Sequence, residues 1–131
     1  MLFVNSGVSL ADGSLVIHDA WIKHLPPVVP MRAGYLTINN HSTHALEVTH
    51  AESNAFMQVE IHENIEKNGV MVMQSLSSLP VPAGATVKLI PGGIHLMMIQ
   101  PRQSLQPGDR VPVTLHFGDG NSKTLQMLVK K

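Results

Sequence analysis

The chain has 131 residues, nine basic and nine acidic, with eight His, eight Met and no Cys. That length suits one domain with a core of its own. The balanced charge offers no bulk field to nucleic acid or an anionic membrane, and the lack of Cys excludes disulfides, thiolate metal sites and thiol catalysis.

Residues 1–14, closing on Ala11-Asp12-Gly13-Ser14, read as a flexible leader ahead of a single domain over 15–131. Leu15 to Ile22 is β-rich and forms the first expected strand, followed by a stiff loop with Pro26, Pro27 and Pro30. A strand over Gly34 to Asn39 leads into the polar turn Asn39-Asn40-His41-Ser42-Thr43-His44, and Ala45 to Ser53 alternates as the next strand. Phe56 to His62 is another, and Glu63 to Gly69 reads as a charged hairpin loop ending in the turn signal Asn68-Gly69. The chain returns over Val70 to Leu76, turns through Pro80-Val81-Pro82-Ala83-Gly84, and makes a strand over Thr86 to Ile90. Pro91-Gly92-Gly93 then launches Ile94-His95-Leu96-Met97-Met98-Ile99, and Val111 to Phe117 with Lys123 to Val129 form a terminal hairpin. Short strands at near-regular spacing, with no amphipathic helical stretch, imply an all-β fold: an antiparallel sandwich of eight or nine strands whose core is Val, Leu, Ile and Met.

Four side chains at unusual joint spacing stand out as metal ligands: His62, Met73, His95 and Met97. Thioether sulfur is a soft, neutral donor that suits Cu(I) and holds hard divalent ions poorly, whereas imidazole accepts copper in either oxidation state. His95 and Met97 are two apart on one strand and so share a face, with Leu96 and Met98 on the other. In Val59-Glu60-Ile61-His62 the same alternation turns His62 away from the core-facing Val59 and Ile61. Met71 shares the parity of Met73 and is the alternative donor, while Met31 and Met57 are core residues or a soft entry path. Glu63, adjacent to His62, is either a second-sphere partner of the imidazole or a solvated charge.

The pattern His-x10-Met-x21-His-x-Met, with its settings Val59-Glu60-Ile61-His62-Glu63, Gly69-Val70-Met71-Val72-Met73 and Pro91-Gly92-Gly93-Ile94-His95-Leu96-Met97, resembles the periplasmic copper chaperones called PCu(A)C. The resemblance runs from about residue 15 to 130 and takes in Asp19-Ala20-Trp21, Ala33-Gly34-Tyr35-Leu36 and Pro107-Gly108-Asp109. Asn64 and Gln74 depart from it, standing where many relatives have Met and a basic residue. It implies a cupredoxin-like Greek-key sandwich that binds Cu(I) near its surface at His62, Met73, His95 and Met97. It also implies a periplasmic location and transfer of the ion to a copper-accepting partner on the way to cytochrome c oxidase. Met1-Leu2-Phe3-Val4 lacks the basic region and long apolar stretch of a secretory signal.

Competing readings exist at the level of residues. In one, the Met are all core and the chain is an interaction module. In another, His41, His44 and His50 hold Cu(II) in a redox enzyme. His18, His24 and His116 have no partner at an informative spacing, and His62-Glu63-Asn64-Ile65-Glu66 lacks the second His of a zincin helix. The favoured reading is therefore a non-enzymatic carrier of Cu(I), with no nucleic-acid partner and no membrane span. Nothing in the pattern marks an oligomer, so a monomer is expected.

Overall fold

The computed structural model describes residues 14–131, so the expected leader lies, apart from Ser14, outside the described residues. Ten strands follow in order: β1 Leu15–Lys23, β2 Met31–Asn40, β3 Leu46–Glu52, β4 Phe56–Lys67, β5 Val70–Leu76, β6 Leu79–Val81, β7 Thr86–Leu89, β8 Ile94–Pro101, β9 Arg110–Phe117 and β10 Ser122–Lys130. No helix occurs among the described residues, and none is present that could cross a membrane.

The all-β expectation holds, but the architecture departs from an antiparallel sandwich. Strands pair in the order β4-β8-β2-β1-β10-β9-β3, and β3 meets β4 again through Ala51 and Val59, closing a seven-stranded barrel. β5, β6 and β7 are appended to β4, β3 and β2. Closure needs one parallel pairing, between β1 and β10, where Trp21, Ile22 and Lys23 align with Leu128, Val129 and Lys130. A closed barrel leaves fewer unpaired strand edges than two open sheets would.

The interior follows from alternation. Val59 and Ile61 of β4, Leu96 and Met98 of β8, Leu36 and Ile38 of β2, Val113 and Leu115 of β9, and Met127 and Val129 of β10 are buried together. Gly34 sits between them, because a Cβ there would stand 3.1 Å from Met98 Sδ and 3.2 Å from Met127 Cε. At one mouth the buried guanidinium of Arg32 donates to the carbonyls of Val29 at 2.6 Å and Met31 at 3.0 Å. Burial lowers the pKa of this group.

Two local features differ from the expected pattern. β4 runs five residues past His62, and all of Glu63 to Lys67 stays paired with β5. The expected charged loop is therefore a two-stranded arm whose tip is a tight turn with Asn68 at φ 53° and Gly69 at φ 80°. β3 carries a bulge: Val48 aligns with Phe117 and His50 with His116, so β3 fits Thr49 in as an extra residue. Bulges of this kind re-aim the side chains beside them.

Candidate metal centre

The barrel register brings the four predicted residues onto one outer face. β4 and β8 run antiparallel with His62 directly opposite His95 and Glu60 directly opposite Met97, so these four side chains project from the same side. β5 adds Met73 opposite Asn64, one same-face step along from His62.

Each imidazole is oriented by a distinct acceptor. His95 Nδ1–H donates to the Gly93 carbonyl at 3.0 Å, since a carbonyl can only accept. The Pro91-Gly92-Gly93 turn thus fixes the tautomer, leaving the lone pair on Nε2. His62 Nε2–H donates to the Glu60 carboxylate at 2.8 Å. In the neutral ring the lone pair is then on Nδ1, and that atom faces Met73 Sδ at 3.5 Å. The two rings lie 5.9 Å apart between centroids, tilted by 54°.

The contact between His62 and Met73 is informative because both atoms are electron-pair donors. With metal–nitrogen and metal–sulfur bonds of about 2.0 and 2.3 Å at a tetrahedral angle, the two ligand atoms stand about 3.5 Å apart. The 3.5 Å separation in the structure matches that spacing.

The site has two halves. His95 and Met97 sit on a barrel strand and are only 5% and 7% exposed. Met73 is 54% exposed on the outermost strand, and His62 lies between these extremes. Leu96 and Met98, on the reverse face of β8, belong to the core as expected.

Several expectations about neighbouring residues are revised. Glu63 has the opposite parity to His62 on β4, and the carboxylate that holds the ring is that of Glu60. The alternation in Val59-Glu60-Ile61-His62 carried that signal, because residues two apart share a face. Met71 is exposed beyond Met73 toward the arm tip, opposite Glu66. Met31 and Met57 are also exposed, so neither is core. His50 does not join His41 and His44: its ring stacks on that of His116 at 4.2 Å. The pairing of His116 was invisible in the sequence, since it depends on the β3–β9 register and the bulge.

The profile of the family described as "Putative lipoprotein LpqE-like" matches residues 15–129. The chain belongs to the LpqE-like family. This family is part of the PCuAC family, so the resemblance carried by the motif holds. The LpqE-like chain is 34% identical over 121 residues to "Putative lipoprotein Lxx21020" of Leifsonia xyli subsp. xyli, covering 92% of this chain and 71% of that protein. Its fold matches the copper-bound PCuAC domain from PmoF2 with a TM-score of 0.76 at 18% identity, over 90% of this chain and 93% of that one. It also matches the solution structure of CuI-DR1885 from Deinococcus radiodurans with a TM-score of 0.75 at 25% identity, over 95% and 83% of the two chains.

Proposed function

We propose that this LpqE-like protein is a copper chaperone that holds Cu(I) at His62, Met73, His95 and Met97 and passes it to a partner protein. The observation that carries the reading is the convergence of His62 Nδ1 and Met73 Sδ at ligand spacing, beside an imidazole whose Nδ1–H is bonded to a backbone carbonyl. The two solved relatives described as copper-bound support the choice of metal. So does the donor set, in which two thioethers favour the monovalent ion.

Four neutral ligands leave the complex with one positive charge, and Glu60 places a carboxylate beside it. The metal is cargo, and no turnover is required. Handover follows from the two halves: the outer pair, exposed Met73 and half-buried His62, yields to incoming ligands while buried His95 and Met97 still hold the ion. An affinity difference of about 1.4 kcal/mol drives transfer tenfold toward the acceptor. Kinship with lipoproteins supports an extracytoplasmic setting, the periplasm in a two-membrane cell. Thioethers survive there where thiols are oxidised. The acceptor in this reading is a protein of the cytochrome c oxidase assembly route.

The test is an anaerobic Cu(I) titration against a chromophoric chelator, for the intact chain and for Met73→Leu with Met97→Leu. One copper per chain, lost in the folded double variant, supports the reading. An intact chain that cannot compete with a weak chelator overturns it.

A further inference from the structure

A second group of donors stands on the adjoining β3–β9 wall, where β3 is the barrel neighbour of β4. His50 and His116 are cross-strand neighbours, their rings stacked at 4.2 Å and within 5° of parallel. Glu52 is two residues along β3 on the same face, and its carboxylate accepts a hydrogen bond from His116 Nε2–H. One ligand atom from each of the three residues can be chosen so that all lie within 4.8 Å of one another. The β3 bulge at Thr49 creates this arrangement, and Thr49 Oγ1–H donates to the His116 carbonyl at 3.2 Å, tying the extra residue to β9.

We propose that His50, Glu52 and His116 form a second metal site, for a divalent borderline ion, with Cu(II) first in affinity and Zn(II) behind it. The donor chemistry decides the ion. Two imidazole nitrogens and one carboxylate oxygen contain no soft sulfur, so the set disfavours Cu(I), and for such ligands affinity rises along the first-row series to Cu(II). The carboxylate offsets one of the ion's two charges. His50 and Glu52 are exposed and His116 is half-buried, so an ion enters directly from solvent and completes its coordination with water. Small rotations of three side chains bring the ligand atoms from their present spread to about 3 Å apart, the spacing that bonds of about 2.0 Å require. On binding, the His116 ring proton moves from Nε2 to Nδ1, which frees the Nε2 lone pair for the ion, and the Glu52 carboxylate that accepted that N–H turns to ligate it. This site draws on none of the four residues of the Cu(I) reading and stands or falls independently of it.

The test uses Cu(II) with glycine as a competing ligand, followed by electron paramagnetic resonance. The starting protein carries His62→Gln and Met73→Leu, so that the first site cannot report. The expected result is one Cu(II) per chain with coupling to two nitrogens. Adding His116→Gln should weaken binding at least tenfold, and His50→Gln, an exposed position that leaves the core untouched, should do the same. Zn(II) should displace the signal only in excess. Failure of the starting protein to take Cu(II) from glycine overturns the proposal and leaves His116–Glu52 a simple hydrogen-bonded pair. Retention of the Cu(II) equivalent in both the His116→Gln and His50→Gln proteins, each folded by circular dichroism, overturns it equally.

Discussion

The β4–β8 and β3–β9 walls carry the same local arrangement. In each, two His face each other across antiparallel strands, and a Glu two residues from one of them, Glu60 or Glu52, accepts from a ring Nε2–H. They differ in what surrounds the pair. His95 has Met97 two residues on, and Met73 reaches His62 from β5, whereas His116 has Thr114 two residues back, bonded through its hydroxyl to Thr124 at 2.7 Å. If both proposed sites bind, a cross-strand His pair serves each as the scaffold for a metal, and the residues beside it select the ion. Sulfur selects Cu(I), while oxygen selects a divalent ion.

Removing the sulfurs is the strongest way to break the distinction. Met73→Leu with Met97→Leu should weaken Cu(I) by more than about a hundredfold, since loss of outer partners alone costs tenfold to a hundredfold. Chelator competition measures this. The swap should cost less than about 1.5 kcal/mol of stability in urea unfolding, because Met to Leu conserves volume.

The reverse exchange sharpens it. Thr114→Met, made together with His62→Gln and Met73→Leu, should raise Cu(I) affinity at the His50–His116 pair about tenfold, read by the same competition. An unchanged affinity would show that sulfur alone does not select the ion.

A smaller effect separates ligand from support. Glu60→Ala removes the acceptor of His62 Nε2–H and should weaken Cu(I) binding about tenfold, with one copper still bound. The smallest concerns the arm. Gly69→Ala imposes about 1 kcal/mol of strain at a positive φ, so Cu(I) should dissociate severalfold faster while the thermal midpoint of the barrel stays put. The β3–β9 pair, which has no arm, should be insensitive to it.

Much of this was legible in the sequence, and the misses have physical causes. Alternation placed His62 against Val59 and Ile61, and His95 with Met97 against Leu96 and Met98, because one face of each strand must fill the barrel. It did not show that β4 continues to Lys67, since an arm outside the barrel has no interior to pattern its residues. The Pro80-Val81 segment read as a linker because a three-residue appended strand has no room for a period. The parallel β1–β10 closure and the His50–His116 pairing join residues far apart along the chain. No local signal encodes such contacts.

The arm also has a mechanical side. From Asn64 onward β4 is held by β5 alone, while His95 and Met97 are fixed in a strand paired on both sides. A copper ion spanning the two is a clasp between a rigid jamb and a hinged leaf. In the proposed site, an arm held on one side only would let the ion's residence time follow the opening of the arm, so a contact at its tip, 68–69, would speed release without touching a ligand.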